Sequence, residues 1–447
     1  MAIDLPAIGE ANWGPKLNTA LTELNNVGVA AAGSATAAAG SASAAASSVA
    51  SINKGVANGV AGLDASAKVV EAQVPTAFVK DYINDSVVQI PRPKLTKWRA
   101  ALAGRVGTGV GSRANILFIG DSISEYQVNG SISTRWVQLL QKRLRSFYNA
   151  PQGPEYYYIP AIYAGTVGAT NMPVSNSGGT ASTDIRGMGL RSLSLPTGAS
   201  VTFVVPQATG AVLNYKKAAA GSLSVTINAV AQTAINTTTG SDPSVEQTGW
   251  ALTGTGTQTI VLTAVGGTQV VDGLLVDNNS DGSINVIDGS HSGYNTTSWP
   301  ANTTVGAAYY NSLARSFNTH KVGLVVMAQG SNDQGVGVSV ATFKANIIAQ
   351  IANLRTVTGL ANASFLLVHM YLNGGRSAST WAQYGAALKE IADADPDVAF
   401  RSFYGSMPDV PTPVTDPSGF DLYYDASHPK AKGHQMMADL MLGFLDE

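Results

Sequence analysis

The segment Ile116-Leu-Phe-Ile-Gly-Asp-Ser-Ile-Ser124 decides the fold of this chain. Its first four residues are apolar and predict a short buried strand, which ends on a Gly-Asp-Ser turn. About three hundred residues later, Asp425-Ala-Ser-His428 places a carboxylate three positions before an imidazole. A serine hydroxyl becomes a nucleophile when an imidazole takes its proton and a carboxylate orients that imidazole. The sequence therefore predicts Ser122 as nucleophile, His428 as base and Asp425 as the orienting acid.

The composition excludes several other classes of function. The chain has 447 residues, 45% of them hydrophobic, which is enough for two or three domains with cores of their own. Its 27 basic and 29 acidic residues give a net charge of -2, so no nucleic-acid partner is expected. There is no cysteine, and no spacing of histidines and carboxylates predicts a metal site or a cofactor. We expect no secretory signal, since Met1-Ala-Ile-Asp-Leu-Pro lacks a basic and then apolar start.

The first 58 residues contain an uncharged, Ala-rich stretch from Val27 to Asn53. Alanine and serine are too weakly apolar for a membrane span, and none is expected. Small and apolar residues instead repeat at alternating spacings of four and three, which favours a parallel coiled coil. A flexible linker is the open alternative. The repeat consists of Leu17, Leu21, Leu24, Gly28, Ala31, Ala35, Ala38, Ala42, Ala45, Val49 and Ile52.

Two N-terminal phrases resemble those of bacteriophage tail fibres and minor tail proteins. One is Gly59-Val-Ala-Gly-Leu-Asp-Ala-Ser-Ala-Lys-Val-Val-Glu-Ala-Gln-Val-Pro75, which departs from the usual pattern at Ala67. The other is Pro6-Ala-Ile-Gly-Glu-Ala-Asn-Trp-Gly-Pro-Lys-Leu-Asn18. The resemblance implies residues 1–58 as a virion-attachment segment with a coiled-coil stalk and 59–112 as a connector. It also implies a location in the virion tail, other tail proteins as partners and a homotrimer.

From residue 113 the pattern changes to apolar strands that alternate with amphipathic helices, which predicts an α/β fold with a doubly wound parallel sheet between two helical layers. This hydrolase core is assigned to residues 113–189 and 284–447. We expect strands at Ile116–Ile119, Val322–Ala328, Phe365–Met370 and Val398–Phe403, and helices at Thr134–Phe147, Trp381–Ala392 and Ala431–Leu445, with one more that bears Phe343, Ile347, Ile351 and Leu354.

Residues 190–283 interrupt the core with short alternating runs separated by Gly, Asn, Asp and Ser. Such runs predict an inserted antiparallel β-sandwich, with a carbohydrate-binding role as one possibility. Its aromatic residues are few, chiefly Tyr215 and Trp250, so no sugar-stacking platform is evident. The expected strands include Ser200–Val205, Ser222–Ile227, Gln258–Thr263 and Gln269–Leu275.

Two further motifs lie between the serine and the histidine. Val326-Met-Ala-Gln-Gly-Ser-Asn-Asp333 places Asn332 on a turn after a core strand, where an amide can donate to a developing oxyanion. Asn285-Val-Ile-Asp-Gly-Ser-His-Ser-Gly-Tyr-Asn-Thr-Thr-Ser-Trp299 is a strand entering a glycine turn, whose Gly293 N–H can reach the same oxygen. The α/β-hydrolase elbow G-x-S-x-G is absent, because Ser124 replaces its second glycine.

The four motifs, in this order, resemble the blocks of the SGNH (GDSL) hydrolase family. That resemblance implies an oxyanion site made by the Ser122 N–H, Gly293 and Asn332, next to the Ser122, His428 and Asp425 set. The motif Asn285–Trp299 departs from the second block of the family pattern. That block usually carries an Asn two residues before its first glycine, whereas here Asp288 directly precedes the first glycine, Gly289. The Gly178/Gly179 turn within Asn176–Thr180 is therefore an open alternative to Gly293.

Residues beside these motifs are the candidate substrate contacts: Asp121, Asp333, His291 and Tyr294. Among the other histidines, His369 is expected in a strand near the core edge, and His320 and His434 are expected to be solvated. The whole sequence predicts a tail-borne serine esterase acting on a host cell-envelope glycan or glycolipid ester, with acetyl esters favoured. A lipid or mycolyl esterase, a slow or inactive glycan-binding module and a purely structural tail component are the alternatives.

Overall fold

The computed structural model describes residues 93–446, together with Thr19 and Thr22. Within 93–446, the gaps are 106–112, 126, 129–130, 152, 164–165, 168–169, 184–186, 218–219, 239–244, 254–255, 278–281, 301–306, 319–320 and 412–420. The expected virion-attachment segment, coiled coil and tail-fibre phrase lie outside the described residues, apart from those two threonines.

The helices and strands are numbered in chain order among the described residues. The helices are α1 Thr96–Gly104, α2 Ser122–Glu125, α3 Trp136–Phe147, α4 Ala307–Phe317, α5 Ser331–Val336, α6 Val340–Arg355, α7 Ala378–Ala394 and α8 Ala431–Asp446. The strands are β1 Ala114–Gly120, β2 Gln127–Val128, β3 Tyr158–Pro160, β4 Thr166–Val167, β5 Val174–Ser177, β6 Thr180–Ala181, β7 Leu193–Leu195, β8 Ser200–Pro206, β9 Gly210–Lys216, β10 Ser222–Ile227, β11 Val230–Asn236, β12 Val245–Ala251, β13 Thr257–Val265, β14 Gln269–Asp277, β15 Ile284–Asp288, β16 Leu324–Ala328, β17 Ser364–His369 and β18 Val398–Ser402.

The core is a parallel sheet of five strands in the order β15-β1-β16-β17-β18. All seven residues of β1 and all five of β16 are buried, so both faces of the sheet are covered. The helices pack in pairs, α3 with α8 and α6 with α7. The strand order reverses at β1, and ligand sites in such sheets gather beyond the carboxyl ends of the strands at that point. This mixed α/β core confirms the predicted parallel sheet.

The aromatic packing under β1 shows why these segments hold together. Trp136, the first residue of α3, is fully buried and meets the ring of Phe118 edge-on at 4.9 Å between centroids. Leu140 and Leu144 continue the same buried face, as their spacing predicts. Phe147, which the sequence predicts at the end of this helix and at the spacing of the same face, is instead 52% exposed, because the helix ends there.

Helix α1 extends the core into the region assigned to the connector. Leu95 and Trp98 are buried in the same apolar cluster as the central sheet. Ala101 approaches so closely that a Cβ on Gly323 would lie 2.6 Å from its own Cβ. Residues 93–105 therefore belong to the packing of the hydrolase core, because the connector's own apolar side chains cover one part of the sheet.

The insertion forms two antiparallel sheets, in the orders β11-β10-β13-β8-β5 and β12-β9-β14-β7-β6, with β3 added to β14. Side chains of both sheets, such as Phe203 and Leu274, share one apolar cluster, so the two sheets form a sandwich. Strands β3, β5 and β6 precede residue 190, where the sequence analysis begins the insertion. They are short, and β5 and β6 are mostly exposed, so they carry no alternating apolar pattern.

In the part of the chain that the structure describes, no helix combines the length and the apolar character that crossing a membrane requires.

Candidate active site

Ser122 lies at the carboxyl end of β1, on the first turn of α2. A Cβ on Gly120 would lie 2.6 Å from Ser124 Oγ and 3.0 Å from Ser290 Oγ, so only glycine fits at this turn. The Oδ1 of Asp121 accepts the N–H of Ile123 at 2.9 Å and caps the start of α2. The Gly-Asp-Ser sequence thus fixes the direction in which the Ser122 side chain leaves the sheet.

The loop that carries Asp425 and His428 is held by its own hydrogen bonds. Asp425 Oδ1 accepts the backbone N–H of Ser427 at 2.7 Å and that of His428 at 2.8 Å. The Tyr371 hydroxyl, beyond the end of β17, donates to the Ser427 carbonyl at 2.7 Å. The Gly374 N–H donates to the Ala426 carbonyl at 2.8 Å. These bonds fix the short loop against the carboxyl edge of the sheet.

The structure brings the three predicted residues into one hydrogen-bonded row. His428 Nε2 lies 2.9 Å from Ser122 Oγ, and His428 Nδ1 lies 2.8 Å from Asp425 Oδ2. Burial raises the pKa of Asp425, but hydrogen bonds from His428 and Ser427 outweigh it and hold that pKa below its usual value. The carboxylate therefore stays ionised near neutral pH and keeps the Nδ1 proton on its side of the ring. The Nε2 lone pair is then directed at the serine hydroxyl.

Three N–H donors lie on the segments that follow β1, β15 and β16. Helix α5 begins after Gly330, whose φ of 121° and contact with Phe343 require glycine, and this turn presents Asn332. Asn332 Nδ2 donates one hydrogen to the Tyr294 carbonyl at 2.8 Å, which joins it to the residue after Gly293. Among the described residues, the Ser122 and Gly293 N–H groups have no protein acceptor. These two N–H groups and the second hydrogen of the Asn332 amide are the free donors on these segments.

We name residues 289–294 the donor loop. It follows β15 and continues the contact with β1, since the Gly289 N–H donates to the Phe118 carbonyl at 2.9 Å and the His291 N–H donates to the Gly120 carbonyl at 3.0 Å. Gly293 is exposed and has a φ of 82°, which favours glycine. The donor loop therefore runs directly alongside the turn that carries Ser122.

The alternative glycine turn lies elsewhere. Gly178 and Gly179 connect β5 to β6, and a Cβ on them would meet Ala199 at 3.3 Å and Leu195 at 2.9 Å respectively. Those neighbours belong to the sandwich cluster. The structure thus places this turn against the sandwich and places Gly293 beside Asn332.

Two of the four candidate substrate contacts lie in the interior. Asp121 is 1% exposed and Asp333 is fully buried. Asp333 accepts the Thr296 N–H at 3.0 Å and also its hydroxyl. Burial, with Asp333 nearby, raises the pKa of Asp121 to about 7, and burial likewise raises the pKa of Asp333. Both carboxyls support the turns under the site instead of forming its surface.

The other two candidate contacts, His291 and Tyr294, are partly exposed and stack on each other at 3.5 Å between ring centroids. His291 Nδ1 donates to the Gly189 carbonyl at 2.6 Å. Burial lowers the pKa of His291 to about 4, so its ring is neutral at neutral pH. A flat aromatic pair thus lies in the donor loop, next to the free Gly293 N–H.

The sequence analysis missed a buried group of charges beside the site. Glu125 pairs with Arg191, and Arg135 pairs with Asp288 at 2.9 Å. No local pattern marks these residues as buried, because their partners are distant in sequence. The one available signal is that Glu125 lies one helical turn after Ser122, on the same face of α2.

The remaining histidines differ in their outcomes. His369 is buried at the end of β17 beside Trp381, close to its expected place. His434 was expected to be solvated but is fully buried, and its Nδ1 accepts the Trp136 N–H at 3.3 Å. It lies on the face of α8 that packs against α3. His320 lies outside the described residues, and within them no group of three or more metal-ligating side chains occurs.

The solved structures to which this chain is similar include a peptidoglycan esterase and carbohydrate esterases. The fold is similar to that of a peptidoglycan O-acetylesterase, with a TM-score of 0.57 and 19% identity over 79% of this chain and 95% of that one. Family 2 carbohydrate esterases from Clostridium thermocellum and Cellvibrio japonicus match 61% of this chain and 98% and 97% of theirs, each at 14% identity, with TM-scores of 0.30 and 0.26. No family model and no curated protein sequence matches the chain.

Of these likenesses, the first is close enough to show a shared fold. The parallel five-stranded sheet and the antiparallel sheets of this chain are consistent with the SGNH hydrolase fold that the sequence motifs predict.

Proposed function

We propose that this chain is a serine ester hydrolase that removes acetyl groups from glycans of the bacterial cell envelope. The observation that carries this function is the row of Ser122 Oγ, His428 Nε2 and Nδ1, and Asp425 Oδ2, joined at 2.9 and 2.8 Å. A hydroxyl, an imidazole and a carboxylate in this order are the parts of an acyl-transfer site. No other group of described residues has this arrangement beside free N–H donors.

The reaction follows from the positions of these atoms. Ser122 Oγ attacks the ester carbonyl carbon while its proton passes to His428 Nε2. The carbonyl oxygen becomes an oxyanion, which the Ser122 and Gly293 N–H groups and the Asn332 amide stabilise by hydrogen bonds. The C–O bond to the sugar breaks, and His428 returns the proton to the departing oxygen. Water, deprotonated by His428, then attacks the acyl carbon, the bond from that carbon to Ser122 Oγ breaks, and His428 returns the proton to Oγ as the acid is released.

The choice of acetyl esters on a cell-wall or surface glycan rests on two supports. The solved structure that shares this fold over most of the chain is described as a peptidoglycan O-acetylesterase. In addition, the His291 and Tyr294 pair offers a flat aromatic surface beside the donor loop, of the kind that a sugar ring can stack on. Esters of glycolipids are the competing substrates.

The setting of the enzyme is proposed from sequence alone. The phrases Gly59–Pro75 and Pro6–Asn18 resemble those of phage tail fibres and minor tail proteins, and this resemblance supports a tail-borne esterase attached through its N-terminus, as a homotrimer. An enzyme in that position would act on the glycan coat of the host during adsorption.

Hydrolysis of p-nitrophenyl acetate and release of acetate from O-acetylated peptidoglycan, by wild type and Ser122→Ala, test the proposal. We expect both activities in the wild type and neither in the variant. Equal rates in the two proteins would refute the enzymatic function. Activity on the small ester with no acetate released from peptidoglycan would refute O-acetylated peptidoglycan as the substrate. Immunogold labelling of phage particles with an antibody to this chain tests the tail location.

A further inference from the structure

Two segments that are far apart in sequence meet at the buried carboxylate of Glu125. Its Oε2 accepts the backbone N–H of Ser292 at 2.6 Å and also forms an ion pair with Arg191 Nη2. The same Nη2 donates to the Ser290 carbonyl at 2.6 Å. Glu125 and Arg191 thus hold the donor loop at Ser292 and Ser290, and Ser292 directly precedes Gly293. We call these contacts the grip.

A further contact ties the segment before Arg191 to the same loop. Gly189 has a φ of 70°, and a Cβ there would lie 3.0 Å from the Ser290 carbonyl oxygen. Its own carbonyl accepts the His291 Nδ1 hydrogen at 2.6 Å. Residues 187–191 therefore lie along 289–292, and they lead directly into β7 of the sandwich.

The Glu125 and Arg191 pair is buried, so the loss of either partner should have a large effect. The side chain of Glu125 is 0% exposed and that of Arg191 is 5% exposed. Removing one partner of a buried ion pair leaves an uncompensated charge, which must reach water or force its surroundings to move. Because Glu125 is fixed one turn after Ser122 on α2, the donor loop is the part expected to move.

We propose that Glu125 and Arg191 are positioning residues, which hold the Gly293 N–H at the oxyanion position, and that the inserted sandwich completes the active site by supplying Arg191. The proposal rests on the esterase function proposed above. It gives the insertion a role in catalysis that is separate from any binding of sugar. Glu125, on the helix that begins with Ser122, fixes the position of the donor loop at Ser292, and Arg191, from the insertion, fixes it at Ser290.

Losing the grip should lower kcat by no more than the loss of the Gly293 N–H itself would. Removing one oxyanion donor typically lowers kcat by about a hundred- to a thousand-fold, so Glu125→Ala and Arg191→Met should lower kcat by up to about that factor. KM for p-nitrophenyl acetate should change little, because this ester has no sugar ring to stack on His291 and Tyr294 and the Gly293 N–H acts on the transition state. Glu125→Gln keeps an oxygen that can accept the Ser292 N–H but leaves Arg191 without a counter-charge, so its kcat should fall less than that of Glu125→Ala.

The experiment combines kinetics on p-nitrophenyl acetate with amide hydrogen exchange of the full chain, for these three variants and for Arg145→Met. Arg145 is a matched control: it is equally buried, but it binds the Ile284 carbonyl and Asn285 at the other end of β15. We expect faster exchange at His291 and Ser292, whose N–H groups are bonded to the Gly120 carbonyl and to Glu125 in the wild type, in Glu125→Ala and Arg191→Met, with the kcat losses above. In Arg145→Met, we expect wild-type kcat and wild-type exchange at these two amides.

Either of two results would overturn the proposal: a wild-type kcat in folded Arg191→Met, or unchanged exchange at His291 and Ser292 in that variant. The exchange measurement does not depend on activity. If the wild type hydrolyses no ester, the esterase function fails, while unprotected donor-loop amides in Arg191→Met would still establish the grip. If Glu125→Ala does not fold, Arg191→Met and Glu125→Gln still decide between the outcomes.

Discussion

Ser122 Oγ and His428 Nε2 lie 2.9 Å apart although the two residues are separated by 306 positions in the chain. The serine stands at the end of the first core strand, and the histidine stands just before the last helix. The core sheet brings both to one edge because all five of its strands are parallel. The predictions that follow depend on this meeting point and on the donors around it.

Asn332→Ala should lower kcat on p-nitrophenyl acetate by about a hundred- to a thousand-fold, because it removes one oxyanion donor. KM should change little. The substitution also removes the hydrogen bond to the Tyr294 carbonyl. Tyr294→Phe is the matched control, since it keeps that carbonyl and the ring, and it should retain most of the activity. A kcat for Asn332→Ala within about three-fold of wild type would show that its amide does not contact the oxyanion.

Asp425→Asn should lower kcat by about ten-thousand-fold while the loop keeps its shape. The amide oxygen can still accept the Ser427 and His428 N–H groups, which are 2.7 and 2.8 Å from Asp425 Oδ1. Without the carboxylate, however, nothing holds the His428 proton on Nδ1 or stabilises the imidazolium. Steady-state kinetics and a crystal structure of the variant would check this. If the loop is displaced in the variant, the loss of rate comes from the moved His428 and not from the missing carboxylate charge.

Asp121→Asn should change how stability depends on pH. The folded pKa of Asp121 is raised from 3.8 to about 7, so between these values the folded chain binds a proton that the unfolded chain releases. The free energy of unfolding of the wild type therefore falls as pH rises through this window. The asparagine variant does not titrate at this position. Its free energy of unfolding should therefore rise relative to that of the wild type as pH increases, on the order of 1 kcal/mol per pH unit and a few kcal/mol in all. Urea unfolding from pH 4 to 8 measures it, and parallel curves would contradict it.

Gly120→Ala should destabilise the chain by about 1–3 kcal/mol, because the added methyl group would lie 2.6 Å from Ser124 Oγ and 3.0 Å from Ser290 Oγ. Gly104→Ala at the end of α1 is the matched control: nothing lies within 4 Å of its added Cβ. It should be neutral or slightly stabilising, since alanine favours a helix over glycine. Thermal unfolding of both variants tests the pair. Equal melting temperatures would mean that the turn at Gly120 can expand.

The core could be predicted from sequence because its central strands contain runs of apolar residues: Ile116–Ile119 in β1, Leu324–Ala328 in β16 and Phe365–Val368 in β17. Val322–Ala328 and Val398–Phe403, for example, match β16 and β18 within two residues. Ser122, Asp425 and His428 could also be predicted from sequence, because nucleophilic catalysis requires those residue types and the motifs supply all three. Periodicity and chemical necessity were the two sources of these predictions.

What the sequence did not reveal depends on contacts between distant segments. Glu125 and Arg191 are 66 positions apart and look like ordinary surface charges until the sandwich brings them together. His434 lies on a helix whose mixed sequence hides its buried face, and Trp98 lies beyond a Pro-rich stretch that indicates a connector. Strands β5 and β6 are too short and polar for any periodic signal. In each case a tertiary neighbour decides the outcome.

The most direct test of the central claim is covalent labelling by a p-nitrophenyl alkylphosphonate, followed by peptide mapping. Phosphorus takes the place of the ester carbon, and an activated serine forms a stable adduct with it. We expect one adduct per chain, on Ser122, formed at least about a thousand-fold more slowly in His428→Ala. A wild-type labelling rate in His428→Ala, or an adduct on any residue other than Ser122, would contradict the account.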